Sequence, residues 1–397
     1  MQLKSKRDAT IILGLVLVCF SMRSPISPVG PLVSQIKAAL DLSSGFAGLL
    51  TTIPLLLFGI VSSFSGQLLN KFSDKVLISS CLVLSFLGVL LRSYLGMGGL
   101  LIGTCLIGLG LGILNVVMPV FIRTNYREKI GVVMGTYSMS MNFMSALSSG
   151  FAVPLSSLLG GWSNALASFA VLPVIAVFLW LLAAKQGFVK RQQTKSMTLI
   201  QTAKSKINWF IALFMGVQSS VFFCLIAWLP SILVERGATK EEAGFLMLLM
   251  QLVGVFTNFL MPVLMQRFPK KRGLLSFISG AIYLSGFLIL LQGVMPFWHR
   301  VLSVVLLGLA SGLCFSYALT SIAMQGKDPQ ETSSISAFSH CIGYTLAAPV
   351  PAFLGLLYDT SGSFYLPVFT LIIICVPIVL TGIGASGGFR PAASREH

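Results

Sequence analysis

Twelve apolar runs, each close to the ~20 residues a helix needs to cross a bilayer, follow one another along this chain. They fall at about 9–38, 44–69, 76–94, 98–122, 131–157, 162–184, 207–234, 243–265, 273–292, 298–325, 332–358 and 363–385. With 55% hydrophobic and 10% charged residues and a mean hydropathy of +0.91, little chain is left for any mass outside a membrane. The expectation is an all-α integral membrane protein of twelve spans. A net charge of +16 raises the question of nucleic acid. The basic residues, however, sit in short gaps between apolar runs, where the positive-inside rule puts them, so no nucleic-acid partner is expected. The seven cysteines are scattered through apolar stretches without CxxC spacing and read as small buried side chains. Lys4, Lys6 and Arg7 before an apolar run resemble a signal peptide, but no small-residue cleavage site follows, so the run reads as the first span.

An even number of spans puts both termini on one side. That side collects 21 of the 27 basic residues, against Lys37, Arg92, Arg236, Lys240 and Arg300 opposite, with Arg23 between. Both termini are therefore expected in the cytoplasm. The longest gap, 185–206, holds six lysines and arginines and no acid, and reads either as a linker against an anionic leaflet or as an ordinary solvated loop. It separates residues 1–184 from 207–397, and these halves repeat at an offset near 196–200. Pro31 with Gly45-Phe46 recurs as Pro230 with Gly244-Phe245, and Gly108-x-Gly110-x-Gly112 as Gly308-x-Ala310-x-Gly312.

Inside the first span stands Arg23, followed by Pro25, Pro28, Gly30 and Pro31. A helix over 9–39 would be ~45 Å long, which sets Arg23 near the bilayer midplane. An arginine there costs at least ~2.5–3.5 kcal/mol, so it implies a ligand or a structural partner. The prolines predict a bend with freed carbonyls facing protein or water. All eleven acids map to loops, termini or helix ends. A cavity at the level of Arg23 is therefore expected to be electropositive, suited to anions or dipolar molecules and unsuited to lipophilic cations. Ser27, one turn on, is expected to share the Arg23 face.

Other candidates carry two readings each. Asn115, at the end of a glycine-rich face, is either a cavity contact or an interhelical hydrogen bond. His340, with Tyr344 one turn further, is either a titrating group or a neutral hydrogen-bonding partner. By the repeat, Phe222 stands opposite Arg23. Gln218, Phe222 and Trp228 share one span, where they either wall a cavity or fill the core.

Gly66-Gln67-Leu68-Leu69-Asn70-Lys71-Phe72-Ser73-Asp74-Lys75 resembles the loop motif of the major facilitator superfamily, with Asn70 at the usual acid and Ser73 at the second glycine. Ser21-Met22-Arg23 with Ser27-Pro28-Val29-Gly30-Pro31-Leu32 is similar to the cyanate and nitroimidazole transporter family within that superfamily. So are Val117-Met118-Pro119 with Val133-Met134-Gly135, and Gly343-Tyr344-Thr345-Leu346-Ala347-Ala348 with Pro351, Gly355 and Asp359. The resemblance implies two pseudo-symmetric six-helix halves, a midplane site between them, and alternating-access transport of a small anionic or polar nitrogenous solute. It also implies a bacterial cytoplasmic membrane, a monomer, protons as a possible coupling ion, and no cofactor, metal or enzymatic activity. Arg23 matches the family's first-span arginine, and Gly66, Asn70, Lys71, Asp74 and Lys75 match its gating loop. Ser21 replaces a common asparagine and His340 a common glutamine. The competing reading is a proton-coupled exporter of lipophilic drugs.

Overall fold

The computed structural model describes residues 6–126, 130–184, 199–326 and 329–387, and among these the regular structure is entirely helical. The first span is two helices, α1 (Lys6–Arg23) and α2 (Val29–Leu40). Single rods follow: α3 (Ser44–Lys71), α4 (Asp74–Tyr94) and α5 (Gly96–Asn125). Two bent spans are α6 (Ile130–Gly150) with α7 (Ala152–Leu158), and α8 (Trp162–Ser168) with α9 (Val171–Ala184). After the short α10 (Leu199–Ala203) come α11 (Lys206–Glu235), α12 (Lys240–Arg267), α13 (Arg272–Leu290) and α14 (Phe297–Gln325). The last spans are α15 (Pro329–Ala347) with α16 (Pro349–Ser361), and α17 (Tyr365–Ala385).

The twelve predicted runs are thus twelve helical spans. Ten are long and apolar enough by themselves to cross a membrane, and Thr10–Arg23 is a shorter apolar helix. The remaining span, α6–α7, is diluted by serines, of which Ser145, Ser148 and Ser149 are buried.

Packing repeats with the sequence. In the first six spans α1 lies against α6 and α9, α3 against α5, and α4 against α5 and α9. In the last six, α11 lies against α15 and α17, α12 against α14, and α13 against α14 and α17. The two sets meet through α3 with α15 and α16, α6 with α12, and α2 with α11. We call the end where α2 turns into α3, α11 into α12 and α16 into α17 the distal face. The opposite, proximal face is the one on which the first and last spans begin and end.

The first span breaks where the prolines require it. Pro25 and Pro28 have no N–H to offer the carbonyls four residues back, and α1 stops at Arg23. Helical geometry resumes at Val29. Pro31 leaves the Ser27 carbonyl without a helical partner, and the Ser149 hydroxyl on α6 donates to it at 3.0 Å. Ser27 Oγ pairs with Ser145 Oγ at 2.6 Å, so two serines of one span tie down the break in another. Gly30 then lets α2 cross α11 backbone to backbone: a Cβ there would overlap the Ile226 carbonyl oxygen.

At the distal face one carboxylate joins the sets. The α3 N-terminus presents unpaired amides, of which Phe46 N–H goes to the Ser43 cap at 3.1 Å. Asp359, near the end of α16, takes the other two: Ser44 N–H at 3.0 Å and Gly45 N–H at 2.7 Å. Lys37 reaches the Ser44 hydroxyl and lies 5.5 Å from the centre of the Tyr358 ring. Asp359→Asn retains the shape and loses the charge that faces the positive helix end. It is expected to open the distal face more often. In a cysteine-free background, Ser231→Cys in the neighbouring pocket should then react faster with a membrane-impermeant thiol reagent; an unchanged rate would show that the carboxylate does not hold the sets together.

Candidate functional site

Arg23 ends α1 with its side chain 8% exposed. Among the described residues it has neither a hydrogen-bond nor an ion-pair partner, and its Nε is fully enclosed. It faces a narrow cavity of about 20 Å³ between the two sets. From the first set Arg23 and Asn142 line it. From the second, Phe222 on α11 and Phe315 on α14 form aromatic walls, and Gln251, Asn258 and Ser311 supply polar groups. Gly254 and Gly312 complete the lining, which contains no acid among the described residues. The space holds about one water-sized group, so a larger solute must spread the sets to enter.

The polar groups are oriented by their neighbours. The Ser316 hydroxyl on α14 donates to the Asn258 backbone carbonyl at 2.7 Å and lies 2.9 Å from the side-chain amide, which anchors Asn258 at the cavity wall. Gln251 Nε2 donates to Ser149 Oγ at 3.2 Å, across the boundary between the sets. With a guanidinium and no carboxylate among the described residues, the cavity can hold an oxyanion or the negative end of a dipole.

Of the residues singled out from sequence, only Arg23 and Phe222 meet in this cavity. Tyr344 lies near enough for the Arg23 charge to act on its phenol, and its ring packs edge-on against Phe58 with centres 5.5 Å apart. His340 contacts Tyr344, with ring centres 5.4 Å apart, and its Nδ1–H donates to the Ser336 carbonyl at 2.7 Å. Gln218 is buried one turn before Phe222 and donates to Ser219 Oγ at 2.9 Å. Ser27 turns to Ser145 rather than to the cavity. Asn115 is half-buried on α5.

Trp228 lies elsewhere. Its indole N–H donates to the Pro351 carbonyl at 2.8 Å, and it lines a larger distal pocket of about 590 Å³ together with Lys37, Glu235, Lys240 and Tyr358. Trp228→Phe removes that hydrogen bond, worth about 1 kcal/mol. It is expected to lower the melting temperature by a few degrees while leaving ligand affinity at the central cavity unchanged. A lost affinity would return Trp228 to the site.

In the predicted gating loop Lys71 and Lys75 are exposed, with Lys71 Nζ 5.8 Å from the Phe72 ring centre. Asp74 is buried in the first turn of α4, where the helix end favours a carboxylate. The side chains of Gly66 and Asn70, and residues 185–198 of the predicted linker, lie outside the described residues.

Sequence reading missed Asn142 as a lining group, and with it Gln251, Asn258 and Ser311. A signal existed. Gln251, Gly254 and Asn258 are spaced three and seven apart in an apolar helix, which places them on one face. The repeat adds another. Arg23 corresponds to Phe222 at the offset of 199 that relates Pro31 to Pro230, and Asn115 to Phe315 at the offset of 200 that relates Gly112 to Gly312, so a polar residue in the first set stands where the second has an aromatic.

Residues 11–339 match the Major Facilitator Superfamily. The chain belongs to that superfamily. As a major facilitator protein it is a multi-pass membrane transporter and not an enzyme. It is 35% identical to the transporter YycB of Bacillus subtilis over 94% of this chain and 93% of that one. It is 28% identical to the 2-nitroimidazole transporter of Escherichia coli, over 96% and 97% of the two chains. Identity to the cyanate transport protein CynX of Escherichia coli is 27%, over 89% and 91%. The fold is similar to that of a D-xylose–proton symporter, with a TM-score of 0.70 at 13% identity over 95% and 96% of the chains. The expected fold class and family are thereby borne out.

Proposed function

We propose that this major facilitator protein carries a small anionic or polar nitrogenous solute across the bacterial cytoplasmic membrane, with both termini in the cytoplasm. The observation that carries the proposal is the buried Arg23 guanidinium, unpaired among the described residues and facing a cavity that none of their carboxylates lines. A cation would meet repulsion there, whereas an oxyanion, a cyanate-like anion or a nitro group completes the arginine. The names of the 2-nitroimidazole and cyanate relatives support the same chemistry.

The transport cycle we infer is alternating access, in which residues 1–184 and 207–397 rock about the central cavity as a monomer joined through 185–206. The bonds of Asp359 to Ser44 and Gly45 hold the distal end shut in this conformation; when they break that end opens while the proximal end closes, so the solute enters by one face and leaves by the other. Where transport responds to a proton gradient, His340, whose ring contacts Tyr344 beside the central cavity, is the group we assign to the coupling. His340→Gln is expected to retain exchange of solute and to lose the acceleration by an imposed pH gradient. Retained acceleration would remove the histidine from coupling.

Counterflow in proteoliposomes tests the function. Labelled cyanate or 2-nitroimidazole should accumulate transiently against unlabelled solute, and Arg23→Ala should abolish this. Accumulation of lipophilic cations instead, undiminished in Arg23→Ala, would favour the drug-exporter reading and overturn ours.

A further inference from the structure

The direction of one hydrogen-bonded chain constrains the solute further. Pro31 leaves the Ser27 carbonyl open, and Ser149 donates its only hydroxyl proton to it at 3.0 Å. A carbonyl accepts and never donates, so Ser149 has no proton left for Gln251. The group that Gln251 turns to Ser149, 3.2 Å away, must therefore be its NH₂. With the Ser149 proton on the Ser27 carbonyl, the hydrogen-bond network assigns the amide nitrogen to the Ser149 side and the oxygen to the other.

The other end of the same amide, Oε1, is buried without a partner among the described residues, on a side chain 5% exposed that lines the central cavity. A buried acceptor left unpaired is costly, as is a buried donor. In this cavity both occur together: Gln251 Oε1 lacks a donor, and Arg23 Nε lacks an acceptor. An ion that offers only acceptors satisfies the arginine and leaves the glutamine oxygen facing a like partial charge.

We propose that the central site selects solutes bearing an N–H or O–H donor beside their oxygen acceptor, with Gln251 Oε1 as the specificity-determining acceptor. The donor meets Gln251 Oε1, and the acceptor meets the Arg23 guanidinium. Solutes of this class are heteroaromatic N–H compounds with a nitro or carbonyl neighbour, and acids in their protonated form. The inference rests on the central cavity being the transport site and adds a requirement that the charge of Arg23 alone does not impose.

The test measures dissociation constants on the full-length protein in detergent with three matched probes and one ion. The probes are 2-nitroimidazole, its 4-methyl derivative that keeps the N–H, and the isomeric 1-methyl derivative of equal bulk that lacks it; the ion is cyanate, which has acceptors only. Wild type should bind the 4-methyl probe at least about tenfold more tightly than the 1-methyl probe, the scale of one buried hydrogen bond. In Gln251→Met, of similar volume and without the amide, that ratio should fall to about one. A merely structural role for Gln251 would weaken both isomers in proportion and keep the ratio, and thermal unfolding of the variant checks that it is folded. Equal binding of the isomers by wild type, or a ratio that survives Gln251→Met, overturns the proposal. Binding of cyanate with none of the nitroimidazoles also overturns it while the anion site stands. Binding of every probe unchanged in Arg23→Ala removes the central site itself.

Discussion

Arg23→Ala is expected to weaken solute binding by about a hundredfold or more, since charge-assisted hydrogen bonds to a planar guanidinium are worth about 1.5–3 kcal/mol each. Arg23→Lys keeps a charge and loses the fork, and should fall between, at about tenfold. The same substitutions should act oppositely on the empty protein. A guanidinium enclosed at 8% exposure, with no hydrogen-bond or ion-pair partner among the described residues, is a destabilising feature of the unliganded fold. Arg23→Leu should accordingly raise the melting temperature in the absence of solute, and solute should no longer shift it. Calorimetric titration together with thermal unfolding reads both effects from one sample. A melting temperature that drops while affinity persists would make Arg23 a structural residue and not the solute's counter-charge.

Gly30→Val should have the second large effect, and it acts on motion rather than on affinity. The α2 and α11 backbones cross at Gly30 with no room for a side chain, because a Cβ would overlap the Ile226 carbonyl oxygen. Overpacking of ordinary side chains costs about 1–3 kcal/mol. Here the obstacle is backbone, which has no rotamer to yield, so the two sets cannot close at the distal end without shifting a whole helix. We expect counterflow to fall to about a tenth or less, a loss of roughly 1.4 kcal/mol or more in the closing step. Accessibility of Ser231→Cys from the distal side should rise. Gly98→Ala, where a Cβ meets nothing within 4 Å, is the matched control and should transport normally. Normal transport by Gly30→Val would mean that distal closure does not use this crossing.

Much of the fold is legible in the sequence because a membrane imposes its own length scale. Apolar runs of one bilayer thickness separated by basic turns leave few alternatives, and the proline cluster announced the break after Arg23. What escaped depends on which helix lies opposite. Asp359 reads as an acid at a helix end; only the fold brings it to the α3 amides 314 and 315 residues away. Gln251 and Asn258 are neutral amides in an apolar span, and a search for charges and aromatics passes over them although their seven-residue spacing marks a face. Ser27 and Trp228 fell on plausible positions, but each is drawn aside by a partner on another span, Ser145 and the Pro351 carbonyl. Spacing along one helix gives a face, and the neighbour decides what that face is for.

The exchange of polar for aromatic residues between the repeats has a consequence for how a molecule sits at the centre. The scaffold has an approximate two-fold axis, yet Phe222 stands at the place of Arg23, and Phe315 at the place of Asn115. Rotating a bound solute by half a turn about that axis would exchange its charged neighbour for a ring. A dipolar solute therefore has one pose and not two, and it keeps the same end toward the first six spans on the inward and the outward journey. The transporter handles its cargo as a turnstile handles a person who always faces the same wall: symmetric in its movement, and handed in its grip.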